Sequence, residues 1–216
     1  MTDKASVAPK ATGRSWNQPT ERERDFVKYL VGLLGSRDAN GKETSKPNRA
    51  ALAALRRGLG KSPGEATEMF PYVAWAFRDD MSGQREDDYL LVAALFATHQ
   101  GTGKPYPKID DDRRNSLGGS FARLRAKAES GSIEKRFVAL LNASREDVTT
   151  HLRHAITLLK AHEVNVDWAQ LLHDLNGWEW SGRPVQRRWA YGYWYTDWKT
   201  EDTSTQPAEE AAADSE

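Results

Sequence analysis

From residue 20 to residue 199 the apolar residues recur mainly three and four positions apart, and short Gly, Pro, Asn or Ser breaks separate the runs. That period is helical, so the pattern predicts an all-α protein. A first helix opens at Thr20, whose hydroxyl and Glu23 form a capping box, and carries Phe26, Val27, Leu30, Leu33 and Leu34 to a stop at Gly35. A loop with Asn40-Gly41 follows. The second helix starts near Pro47 and buries Leu52, Leu55 and Leu59 before Gly60 ends it. Further helices fit Ala66–Phe77, Glu86–His99, Ser116–Glu129, Ser132–Asn142, Ser144–Ala161, Asn165–Asn176 and Arg183–Lys199.

Between them Gly101 to Asp112 holds too many breakers for a helix, and reads as an inter-lobe linker or one surface loop. With no fixed repeat and no sustained heptad, the expected architecture is a two-lobed helical bundle. Its lobes are residues 20–100 and 113–199, between polar tails at 1–19 and 200–216 that lack the apolar surface to fold.

Composition narrows the class. The 216 residues include 38% hydrophobic and 29% charged positions, enough for a real core, and no Cys, which excludes disulfides, thiol catalysis and thiolate metal sites. No run approaches a membrane span and Met1 to Arg14 is polar, so the expectation is a soluble, cytoplasmic protein with no membrane partner.

The formal net charge of zero hides a segregation. Glu201 to Glu216 carries six acids and no Lys or Arg, which leaves residues 1–200 with 31 basic against 25 acidic groups. Arg113 to Lys160 alone has ten basic residues against four acids. Such asymmetry points to a polyanion.

Catalytic signatures do not emerge. Gly60-Lys61-Ser62 imitates a phosphate loop, but position 55 is Leu where Gly is required, and Gly103-Lys104 fails likewise at Thr98. His151 and His154 lie three apart with no third ligand suggested by the sequence, and the acidic runs Glu86-Asp87-Asp88 and Asp110-Asp111-Asp112 read as helix-start and linker charge. The expectation is a protein with no catalytic residue, no metal site and no cofactor. Val185, Trp189 and Tyr193 fall at core spacing, as does Trp168 before Leu171 and Leu172, while Trp178 and Trp180 in a turn are the better candidates for a partner interface.

The basic residues carry more information. At ~100° per residue Arg49 and Arg56 flank the Leu52, Leu55, Leu59 face and Arg57 points to solvent, with no acid between Arg49 and Lys61. Arg153 and Lys160 lie outside the Val148, Leu152, Ile156, Leu159 stripe, and Lys135 is opposite Phe137. Outward cations on several helices suit phosphates.

The same segments resemble the CasB family, the small subunit of the type I-E CRISPR surveillance complex Cascade. The likeness runs through Ser116-Leu-Gly118, Ser130-Gly-Ser-Ile133, Lys135-Arg-Phe137, Leu140-Leu141, Arg145, Leu152-Arg153-His154, Leu158-Leu159, Asp167-Trp168 and Leu171. A weaker echo spans Arg49 to Arg57 and Gly60 to Gly64, and the chain departs from the family pattern at Asn142 and His154. The resemblance implies a non-enzymatic helical protein that pairs with a second copy of itself and meets the backbone and large subunits of the complex. It further implies contact with the guide RNA–target DNA hybrid and the displaced non-target strand through Arg56, Arg57, Arg85, Lys104, Lys108, Lys135, Arg136, Arg145 and Arg153. The expected function is stabilisation of the R-loop by sequence-independent contacts. The alternatives are a helical adaptor that touches only protein, and a helix-turn-helix transcription factor, which would show sequence preference.

Overall fold

Helices in this chain begin where a side chain can satisfy the first free backbone amides. The computed structural model describes residues 17–37, 42–61, 65–100, 116–128 and 130–201. The linker assigned to 101–112 and most of both tails lie outside the described residues. Helix α1 (Glu21–Gly32) has the expected reciprocal box between Thr20 and Glu23. Ser116 caps α5 (Leu117–Lys127) and Ser144 caps α7 (Arg145–Ala161), as the sequence predicts. Pro184 opens α9 (Pro184–Glu201).

Four starts differ from expectation, and each is decided by a better cap. Asn48, not Pro47, sets the start of α2 (Arg49–Arg57), its side-chain oxygen accepting from the Ala51 amide at 3.0 Å. Ser82 starts α4 (Gly83–His99) three residues early, and Ser130 starts α6 (Gly131–Asn142). Asp167 caps α8 (Trp168–Asn176) in place of Asn165, whose carbonyl instead takes the Ser120 hydroxyl at 2.8 Å.

The helix expected over 66–77 is broken. A 3-10 turn at Thr67–Met69 leads into the one-turn α3 (Phe70–Val73) and a second 3-10 turn at Ala74–Ala76. Pro71 within the run has no amide hydrogen to donate, and its ring would collide with a carbonyl one turn back in a continuous helix. Around the loop that follows α1, Ser36–Arg37 (β1) and Glu43–Ser45 (β2) pair as a small antiparallel ribbon, with Ser36 opposite Ser45.

Helix α4 is the axis of the bundle. Val92 to Ala97 are all buried, so this helix is apolar around its whole circumference and must be covered on every side. It packs against α2, α7 and α8, while α1 lies on α8 and α6 on α7. The apolar cluster runs from Phe26 to Tyr193 and draws on helices from both halves of the chain. Val185, Trp189, Tyr193 and Trp168 are buried in it, as their spacing predicts.

Trp178 does not face a partner. Its ring stands 5.0 Å from that of Trp189, and its indole N–H donates to the Ala143 carbonyl at 3.1 Å, because the turn between α8 and α9 folds back over the core. Among the described residues the most exposed aromatics are Trp75, Tyr191 and Trp194, which are 49%, 59% and 41% exposed. Helices α5 and α9 approach most closely. A β-carbon at Gly118 would lie 1.8 Å from the Trp189 carbonyl oxygen.

His99 closes α4 inside the core. Its Nε2 stands 2.8 Å from the Val164 carbonyl oxygen, so the ring proton sits on that nitrogen, and the ring meets Trp168 edge-on. Burial holds its pKa below the ordinary 6.5, the Val164 bond opposes this, and nearby Lys160 reinforces it. Unfolded chains therefore bind this proton more readily than folded ones. Stability should be complete above about pH 6.5 and fall below it. Urea midpoints at about pH 7.5 and 5.5 should separate more for the parent than for His99→Gln; equal separations would refute this.

Candidate nucleic-acid interface

The nine cations singled out by the sequence sort into three groups. Lys104 and Lys108 lie outside the described residues. Arg85 and Arg145 turn inward. The Arg85 guanidinium pairs with Glu23 of α1, reaches Asp88 at 3.3 Å and donates to the Leu172 carbonyl at 2.6 Å. Arg145 pairs with the other oxygen of Asp88, and Gln84, with its amide oxygen turned toward Arg145, accepts from Nε at 3.1 Å. His173 adds a 3.0 Å contact to Glu23. The Asp88 side chain is only 2% exposed, Arg145 9% and Arg85 13%, so this network ties α1, α4, α7 and α8 together from within.

Those two arginines are therefore committed to the interior and do not join a surface track. Asp88, read from sequence as helix-start charge, is the centre of the network. Burial opposes the charge on Glu23, but His173, Arg85 and the Thr20 amide outweigh it and hold its carboxyl below the usual range. A third buried acid, Asp174, accepts from Gln170 at 2.9 Å and from the Trp189 indole at 2.6 Å, and pairs with Arg188.

The outward group is built on the end of α2. Arg56 and Arg57 stand exposed in its last turn, where a cation also complements the negative end of the helix dipole. Beyond them Gly60 adopts φ +96°, and Arg153 reaches across from α7 so closely that a β-carbon at 60 would be 2.9 Å from its Nη2. The left-handed backbone and the space for Arg153 both call for glycine here.

Lys61, next in sequence, bonds Glu68 at 2.8 Å, and Glu68 also stands 3.8 Å from Arg57 Nε. An acid from the first 3-10 turn thus enters a stretch that looked acid-free in sequence. Around Gly60 the fold gathers Arg57 from α2, Lys61 from the turn after it and Arg153 from α7. Lys61 belongs to the false phosphate loop, and its adjacency to Arg56-Arg57 is the sequence signal for it. Lys135 and Arg136 are exposed on α6, which packs on α7.

The model of a family described as CRISPR-associated protein Cse2 matches residues 51–194. This chain belongs to the Cse2 family. A Cse2 protein from Thermus thermophilus is 36% identical over 179 residues, which cover 82% of this chain and 90% of the relative. The crystal structure of M. ruber CasB superposes with a TM-score of 0.65 at 28% identity, covering 86% of this chain and 99% of that one. A chain from a solved CRISPR RNA-guided surveillance complex superposes with a TM-score of 0.69 at 25% identity, covering 86% and 98%. The CasB resemblance read from the motifs and the Cse2 match thus agree, and the helical fold expected from the pattern is that of the relatives. Among the described residues no helix is long and apolar enough to cross a membrane.

Proposed function

We propose that this Cse2 protein is a non-catalytic subunit of an RNA-guided surveillance complex of the Cascade type, paired there with a second copy of itself and seated on the backbone and large subunits. It stabilises the R-loop by sequence-independent contacts to the guide–target hybrid and the displaced strand. The observation that carries this reading is the gathering of Arg57, Lys61 and Arg153, beside Arg56, at the junction of α2 and α7. Guanidinium forks suit phosphate oxygens, and base pairing with the guide already reads the sequence, so the protein needs only charge. Exchange of duplex for hybrid is nearly balanced, and a modest gain from phosphate contacts tips it.

The test is fluorescence anisotropy of labelled single-stranded DNA over a salt series, with the parent beside Arg56→Glu/Arg57→Glu/Arg153→Glu. Arg145 is left intact because reversal there would strike the buried network. Neutralising three phosphates on a single strand lowers affinity roughly twentyfold over a fourfold rise in salt. Parent binding should follow such a slope and the variant should lose it, and in a reconstituted complex the variant should shorten R-loop lifetime. Equal binding by the two proteins would refute the assignment of the site. No binding even at low salt, with unchanged R-loop lifetime, would favour the protein-only adaptor.

A further inference from the structure

Beside Gly60, a cleft of about 250 Å³ opens between the end of α2, residues 84–94 of α4 and the start of α7. Its floor is apolar, made by Leu59, Leu90, Leu91 and Ala94. Two carboxylates, Asp87 from α4 and Glu146 from α7, enter the same cleft. The cations that also line it, Lys61 and Arg145, are already bonded, to Glu68 and to Asp88. Neither Asp87 nor Glu146 has a hydrogen bond or ion pair among the described residues.

Each acid on its own would be ordinary helix-start charge. Their placement from two helices on one cleft with an apolar lining is different. The cleft holds charge of one sign only in uncommitted form, and Gly58 to Gly60 add the negative end of the α2 dipole to its wall. Asp87 is partly withdrawn from water, which pushes its carboxyl up against the opposing pull of Arg145, so a counter-cation would relieve it. The volume is below that of a typical small-molecule pocket and suits one long side chain, methylenes on the leucines and charged head at the carboxylates.

We propose that this cleft is a docking socket for an arginine or lysine side chain of a partner protein. It adjoins the phosphate surface and shares Gly60 and Lys61 with it, but its own unpaired groups are anionic. The probe is butylguanidinium, followed by backbone amide NMR, with butanesulfonate as the anionic control of equal stem. Saturable shifts should appear at Leu59, Leu91, Glu146 and Thr149, with a Kd on the order of 1 mM for so small a ligand. Asp87→Asn/Glu146→Gln should weaken binding about tenfold or more while keeping a cooperative thermal transition and without weakening the salt-dependent DNA binding of the parent.

No saturable shift with butylguanidinium, equal affinity in the double variant, or the same shifts with butanesulfonate would each overturn the socket. A last arm uses the complex and rests on the function proposed above. Asp87→Lys/Glu146→Lys should assemble at least tenfold less well than the parent, and equal assembly would overturn the docking role. The parent's own assembly reports separately on that function.

Discussion

Asp88→Ala should cost this protein about 3–5 kcal/mol, the usual result of removing one partner from a buried ion pair. The carboxylate accepts from Arg85 on one side and Arg145 on the other, so its loss leaves Arg145 buried without a carboxylate and Arg85 held by Glu23 alone. For a domain of this size the thermal midpoint should fall by ~6–20 °C. Calorimetry of the two proteins decides it, and a loss under about 1 kcal/mol would mean that water reaches the cluster. Replacing the set together, as Glu23→Gln/Arg85→Met/Asp88→Leu/Arg145→Met, should recover much of the loss, because neutral, well-packed groups can replace buried ion pairs at little cost and no charge is left without its partner. The distinction matters for any study of DNA binding. A charge reversal at Arg145 would abolish function by unfolding and would be misread as a lost phosphate contact.

Gly118→Ala is the second large effect expected. The added methyl group would meet the Trp189 carbonyl at 1.8 Å, and the obstacle is backbone, which has no rotamer to yield. Helices α5 and α9 must then move apart along their contact, at a cost of about 1–3 kcal/mol or more, and Gly118→Val should exceed it. The near-ultraviolet circular dichroism of Trp189 and Tyr193 should weaken with it. Gly131→Ala is the control, since nothing lies within 4 Å of a β-carbon there. It should be neutral or stabilising, alanine being the better helix former. Equal losses at the two glycines would contradict the packing described.

These two sites also show how far the sequence could be read. Helix number and order, the caps at Thr20, Ser116 and Ser144, and the core spacing of Val185, Trp189 and Tyr193 are local properties, and they were legible. The break at Pro71 was legible in principle, because a proline inside a helical run is its own warning. The fate of Arg85 and Arg145 was legible in half. Arg145 lies three and seven residues before Val148 and Leu152, and Arg85 lies seven before Val92, so both sit on core stripes. The phase test that placed Arg153 and Arg57 outward would have turned these two inward.

What no pattern supplies is the partner across the gap. Glu23 reaches Arg85 from α1 and Asp88 reaches Arg145 from α4, although Asp88 is also the local i,i+3 partner of Arg85, and Glu68 arrives beside Arg57 only because the chain doubles back. Trp178 escaped for the same reason, since a turn residue is covered or bare according to what folds over it.

The division of the tryptophans has an optical consequence. Among the described residues, Trp168, Trp178 and Trp189 are buried and should emit to the blue, whereas Trp75 and Trp194 look into water and should emit to the red, within reach of iodide. These two red emitters stand on different elements, one in the 3-10 turn after α3 and the other on α9. A molecule that covers one face should shield its own indole and leave the other quenchable. Trp75→Phe and Trp194→Phe would then tell, without any attached label, which side of the bundle a partner or a strand has reached.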